Sequence, residues 1–187
     1  MSNAKVYLLF TNTGTLFTKL ISLYTKHALN HVSIAFDEQL EEIYSFGRKN
    51  PYNPFIGGFV KEQLNEGLMK HADCAVYSLS VTKEEYEKMK EEVLKIEGNK
   101  ELFKYNLIGL FAILFNQRIE RKNAFFCSQF VATILNMKKN LLEKAPSLVT
   151  PQDLMSLGTL RLVYQGKLSR YSNPYLEFVN YYQLKIL

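Results

Sequence analysis

Apolar residues recur along the chain at two spacings, one of strands and one of helices. Val6-Tyr7-Leu8-Leu9-Phe10 is a continuous apolar run of strand length, closed by the turn-forming Thr11-Asn12-Thr13-Gly14. Phe17, Leu20, Ile21 and Tyr24 then fall at i, i+3, i+4 and i+7, which predicts a helix from Leu16 to His27. His31-Val32-Ser33-Ile34-Ala35-Phe36 alternates. After Asp37-Glu38-Gln39 the chain returns through Glu42-Ile43-Tyr44-Ser45-Phe46, so this stretch reads as an antiparallel hairpin. Gly47, Pro51, Asn53, Pro54, Gly57 and Gly58 mark a long irregular loop, and Cys74 to Val81 alternates again as a strand. Thr82 with Glu85 forms a capping box. It opens a helix whose face is Tyr86, Met89, Val93 and Ile96 and which stops at Gly98-Asn99. A further helix, Tyr105 to Gln117, is apolar on nearly all sides and so reads as buried. Another, from Phe126 to Lys139, carries Phe130, Val131, Ile134 and Leu135. The Tyr- and Val-rich tail from Leu160 to Leu187 adds strands. This order predicts an α+β fold, an antiparallel sheet packed against helices. No internal repeat is visible, so residues 1–187 read as a single domain.

Composition narrows the classes. At 187 residues, 47% hydrophobic and 22% charged, the chain is long enough to bury a core without staples. Cys74 and Cys127 make at most one bridge; with three histidines, no CxxC and no HExxH, no metal or other cofactor is expected. Val6 to Phe10 is too short for a secretory leader, and Leu107 to Phe115 falls well short of the ~20 residues that span a bilayer. The expectation is a soluble, cytoplasmic, reduced protein. The net charge of +5 invites a nucleic-acid reading. Yet Lys and Arg stand beside Glu, as in Lys83-Glu84-Glu85, and the basic spot Arg118 to Lys122 lacks interleaved aromatics, so no nucleic-acid partner is expected.

Two residues carry candidate chemistry. Cys127, in Asn123-Ala124-Phe125-Phe126-Cys127-Ser128-Gln129, stands where a helix begins, and a thiol in a first turn feels the partial positive charge of unpaired N–H groups. A free cysteine is otherwise a small buried hydrophobe. His31 opens a strand whose alternation puts Val32, Ile34 and Phe36 on one face and His31, Ser33 and Ala35 on the other. His27 and His71 read as structural. A Cys–His pair needs a group that holds the imidazole in one tautomer. If Ile43 faces the core, Glu42 and Tyr44 share the side of His31. Glu42 is the better acceptor and Tyr44 the better register match, with Ser45 third.

Asn30-His31-Val32-Ser33-Ile34-Ala35, Ile43-Tyr44-Ser45-Phe46-Gly47-Arg48, Tyr105-Asn106-Leu107-Ile108-Gly109-Leu110, Phe126-Cys127-Ser128-Gln129-Phe130-Val131 and Thr150-Pro151-Gln152-Asp153-Leu154 follow one another in that order. Together, from about Val6 to Leu154, they resemble the circularly permuted papain-like cysteine hydrolases of the NlpC superfamily, in particular the YiiX-like group. That resemblance implies a permuted papain-like (NlpC-type) fold with the His strand before the Cys helix. It implies Cys127 as nucleophile and His31 as general base. The polar residue that orients His31 would lie on the following strand, nearest Tyr44. Two departures stand out: Asn106 occupies a position where the family often has Asp, and relatives that carry a signal peptide differ from this chain.

The activity so implied is that of a thiol hydrolase, an amidase or cysteine peptidase, acting through an acyl-enzyme on an amide or ester. Phe46, Arg48 and Tyr105 are candidate substrate contacts, and the loop holding Tyr52 and Phe55, with Phe59 beyond it, is placed to wall the cleft. A lipid acyltransferase or phospholipase with the same dyad, as in the lecithin–retinol acyltransferase type, is the alternative. Peripheral contact with an anionic membrane is compatible with the apolar stretch from Tyr105 to Gln117, flanked by Arg118 and Arg121. A binding domain that keeps the fold without turnover is the third class. The substrate, whether peptide, lipid or small molecule, and the oligomeric state are not legible.

Overall fold

The computed structural model describes residues 3–12, 28–48, 57–64, 69–114, 117 and 119–171. Six strands form one sheet: β1 (Asn3–Asn12), β2 (His31–Ala35), β3 (Ile43–Arg48), β4 (Gly57–Lys61), β5 (Asp73–Thr82) and β8 (Leu160–Lys167). Their order is β4-β3-β2-β1-β5-β8, and each neighbouring pair is antiparallel. The continuous apolar run in β1 follows from its place between β2 and β5. Val6, Leu8 and Phe10 enter one core and Tyr7 and Leu9 another, so both faces are buried.

The helices cover the first of these faces. α1 (Lys83–Gly98) starts at the predicted capping box of Thr82 and Glu85 and buries Met89, Val93 and Ile96. The Tyr86 hydroxyl donates to the Phe36 carbonyl at 2.8 Å, fixing this helix over the hairpin. α3 (Cys127–Leu135) lies across β2 and β3, its Phe130, Val131, Ile134 and Leu135 fully buried. The other face gathers Leu40, Ile43, Leu64, Cys74, Val76 and Leu168 around Tyr7 and Leu9, with Leu168 supplied by the short α5 (Leu168–Tyr171). The α+β class with an antiparallel sheet packed against helices is thus as expected.

Three details depart from the sequence reading. The irregular loop is shorter than it looked, because β3 runs through Arg48 and the chain re-enters the sheet as β4 at Gly57. Strand β4 was obscured by its two glycines, poor strand formers. Gly57 is needed there: a Cβ would sit 2.7 Å from the Gly47 carbonyl oxygen and 2.9 Å from Tyr105 Cβ. Tyr105 is not helical but belongs to β6 (Lys104–Tyr105), which pairs in parallel with β7 (Ala124–Phe125). Each of these two-residue strands leads into a helix, β6 into α2 (Leu107–Leu114) and β7 into α3. The predicted helix from Leu16 lies outside the described residues apart from its approach, as do Tyr52, Phe55 and the tail beyond residue 171.

Candidate active site

Helix α3 begins at Cys127 because Phe126, its N-cap, is extended (φ −102°, ψ 169°) and fully buried, pinning the entry of the chain. Phe126 offers no side-chain acceptor, so the first-turn N–H groups of α3 are not capped by it. Around this start, Ser128 Oγ donates to the Val149 carbonyl at 2.7 Å. Phe130 packs on Phe46, ring centroids 5.1 Å apart. Asn106 fixes the neighbouring helix α2: its Oδ1 accepts from Gly109 N at 3.0 Å, while its Nδ2 donates to the Ile119 carbonyl at 3.2 Å and reaches Gln129 Oε1 at 3.5 Å. Asn106 is therefore a buried cap and clamp rather than a group aimed at substrate, and a carboxylate there would have nothing to donate to those two acceptors.

His31 is the first residue of β2, opposite Thr11 on β1. The register Ile34↔Tyr44 and Ala35↔Ile43 places Tyr44 on the face of Ile34, away from His31, and Ser45 on the face of His31 and Ser33. The sequence argument assumed a single core face, but Ile43 sits in the second core, so its alternation points the other way. Tyr44 instead stacks on Phe59 at 5.8 Å beneath the Lys61 ammonium, and Glu42 is held by Lys90 Nζ at 2.5 Å. Neither contacts His31.

The group that does is Glu62, the residue after β4, which the sequence reading passed over. Its Oε1 lies 2.8 Å from His31 Nε2. Ser45 Oγ donates to the same oxygen at 2.5 Å, and Ser33 Oγ donates to Oε2 at 2.9 Å. Ser33 Oγ is also 3.4 Å from His31 Nε2. The side chains of His31 and Glu62 are 18% and 9% exposed. Cys127, 4% exposed, shares a hydrogen bond with the imidazole.

Electrostatics follow from that geometry. Burial alone drives the His31 imidazolium towards losing its proton, but the Glu62 charge and the hydrogen bonds to Cys127 and Glu62 outweigh it and bring the pKa up to about 10. Burial raises Glu62 in turn, yet the His31 charge and the hydrogen bonds from His31, Ser45 and Ser33 hold its carboxyl below the usual range. Cys74 is the contrast: burial, the Asp73 charge and no imidazole push it up to about 12.

Of the other candidates, Phe46 is not a substrate contact. It is fully buried among Phe59, Phe103, Phe125 and Phe130 and glues β3 to the start of α3. Phe59 is likewise core, not cleft wall. Tyr105 is half-buried against Gly57, and the Arg48 side chain and His27 lie outside the described residues. His71 is exposed in a 3-10 turn (Met69–His71). The Thr150 to Leu154 motif is a capping box, with Thr150 and Asp153 opening α4 (Pro151–Met155). Among the described residues no three His, Cys, Asp or Glu side chains converge as metal ligands. No family model, curated protein or solved structure matches the chain, so a functional reading rests on this geometry.

Proposed function

We propose that the chain is a cysteine hydrolase of permuted papain-like type, with Cys127 as nucleophile, His31 as general acid–base and Glu62 as the residue that orients His31. One observation carries the reading: a thiol at a helix start hydrogen-bonds to an imidazole whose Nε2 is held by a carboxylate only 9% exposed. The raised affinity of His31 for a proton favours an imidazolium at neutral pH, the partner a thiolate needs.

The thiolate sulfur attacks the carbonyl carbon of an amide or ester, forming a C–S bond as the carbonyl electrons move to oxygen. First-turn N–H groups of α3 face that developing oxyanion. His31 gives its proton to the leaving amine or alcohol as the carbon–leaving-group bond breaks, leaving a thioester. Water then attacks the thioester while His31 takes a proton from it, the acid departs, and thiolate and imidazolium are restored. Glu62 stays ionised throughout and keeps the imidazole in one orientation.

The test is alkylation by iodoacetamide across pH in a Cys74→Ala background, followed by a screen of peptide amides and acyl esters. Cys127 should react at pH 6 faster than free cysteine, and His31→Ala should remove that advantage. Cys127→Ala should abolish turnover with the thermal midpoint moved by only a few degrees; turnover that survives it sinks the reading.

A lipid acyl substrate is the second reading, favoured by one observation. The starts of α2 and α3 are tied together, Asn106 N donating to the Phe125 carbonyl at 2.9 Å, and Ile108 in that first turn of α2 is 56% exposed. An exposed apolar side chain at that junction suits an apolar acyl chain. Co-sedimentation with anionic liposomes at low salt, lost in Ile108→Asp, supports this reading; no binding by the wild type removes it.

A further inference from the structure

The Glu62 carboxylate has an arrangement that orienting His31 alone does not require. It is buried, and a buried carboxylate is costly to keep charged unless donors surround it. His31 supplies one donor, to Oε1. The other two are hydroxyls from two different strands: Ser33 of β2, two residues along from His31 and fully buried, and Ser45 of β3, also fully buried. Both point to the side of the sheet that carries His31, and between them they reach both oxygens. A carboxylate with Oε1 shared by Ser45 and His31 and Oε2 tied to Ser33 cannot rotate about its last bond without losing a donor.

We propose that Ser33 and Ser45 are positioning residues of the site: their hydroxyls lock the Glu62 carboxylate in plane and in its charged form, so that Oε1 stays on His31 Nε2 and the imidazole stays turned towards Cys127. This rests on the hydrolase reading for its purpose but not for its physical content. The surroundings leave Glu62 under the control of His31 first and of these two hydroxyls next. His31 from β2 is the titratable group against Glu62 among the described residues, and Cys127 from α3 faces His31. From β3 come Ser45, apolar Ile43 and Gly47 on that side, none of them charged, Glu42 being engaged by Lys90 of α1. Lys61 of β4 stands over the Tyr44 ring on the opposite face. Across β1 and β5 the same row continues with uncharged Thr11 and with Cys74.

Removing a donor to a carboxylate makes it take a proton more readily. In Ser33→Ala/Ser45→Ala, therefore, Glu62 should protonate at higher pH, while the alkaline titration of His31, governed by the charge on Glu62 and not by who else binds it, should stay put. The experiment is carboxyl carbon NMR of Glu62 over a pH series, assigned by its loss in Glu62→Gln, run beside the pH profile of Cys127 alkylation in the Cys74→Ala background. The expected result is an upward move of the Glu62 midpoint by roughly one pH unit in the double variant, about half that in each single variant. The acid limb of the alkylation profile should move with it, and Ser45→Thr, which keeps the hydroxyl, should restore both. A folded double variant with an unmoved Glu62 midpoint overturns the proposal, as does an equal shift in Ser45→Thr. If circular dichroism shows the double variant unfolded, Ser45→Ala alone carries the test. If wild-type Cys127 proves no more reactive than free cysteine, the hydrolase reading fails, and the carboxyl titration still decides the role of the serines.

Discussion

At the scale of single residues, the two cysteines show what surroundings do to one functional group. Cys74 and Cys127 are both buried, but Cys74 meets burial and the Asp73 carboxylate, whereas Cys127 meets His31 at a helix start. The difference traces back to Glu62. In Glu62→Gln the side chain keeps its shape and one acceptor but loses the charge that outweighs the burial of His31. The His31 pKa, now about 10, should therefore fall to its ordinary 6.5 or below. Imidazole NMR measures this directly, and a His31 still protonated at pH 8 in that variant would show that another charge holds it. On the proposed hydrolase reading turnover should drop by up to about 10⁴-fold, the loss that follows when the carboxylate orienting a catalytic imidazole becomes an amide. Cys127 and His31 could be read from the sequence because each sits at an element boundary with a local signal, a helix start and the head of an alternating strand. Glu62 could not. Its partner is 31 residues away across two strand pairings, and nothing in the local sequence distinguishes it from the exposed glutamates.

At the scale of elements, the hairpin of β2 and β3 was legible in existence and antiparallel pairing but not in facing. Alternation separates two faces; it does not say which is buried when both are, and here Ile34 and Ile43 serve different cores. That single ambiguity sent Tyr44 to the wrong side and left Ser45 third among the candidates. The parallel pairing of β6 with β7 was illegible for another reason, since two residues leave no period to read. It nevertheless sets the site, because it places the starts of α2 and α3 side by side. Two substitutions probe this junction. Gly57→Ala would press a methyl against the Gly47 carbonyl and Tyr105, parting β4 from β3 or β6, and should cost about 1–3 kcal/mol in urea unfolding. Asn106→Asp keeps the cap to Gly109 but turns a carboxylate oxygen towards the Ile119 carbonyl and Gln129 Oε1, losing both donors. It should destabilise by about 3 kcal/mol or more, against about 1 kcal/mol for loss of an ordinary N-cap. An Asp variant as stable as wild type would mean that Asn106 donates nothing of consequence.

At the scale of the whole molecule, the sheet is a wall between two cores, and the polar cluster of His31, Glu62, Ser33 and Ser45 is built into it. Among the described residues no helix is long and apolar enough to cross a membrane, and within the cluster the His31 and Glu62 charges oppose each other at 2.8 Å. Their effect on stability has a definite sign. His31 has a folded pKa raised from 6.5 to about 10, so its contribution is complete below pH 6.5 and is lost as pH rises through about 10. Glu62 is lowered from 4.5, so its contribution is complete above pH 4.5 and is lost as pH falls through its folded value. Both are whole only between those ordinary values, and the unfolding free energy should be greatest there. From pH 6.5 to 9 the folded state retains the His31 proton that the unfolded chain releases, giving a decline with a ceiling of about 1.4 kcal/mol per pH unit for one proton. Above 9.0 the decline should steepen, because the unfolded chain also ionises Cys74, held at about 12 when folded, and then Tyr171, held at about 12 as well. Urea midpoints at pH 5.5, 7.5 and 8.5 in Cys127→Ala, which takes the thiol's own proton out of the balance, measure the first segment, and adding Glu62→Gln should flatten it while leaving the steeper fall above pH 9 in place. A Cys127→Ala protein equally stable at pH 5.5 and 8.5 would mean that His31 does not hold its proton in the folded protein, and a thiolate would then have no imidazolium beside it.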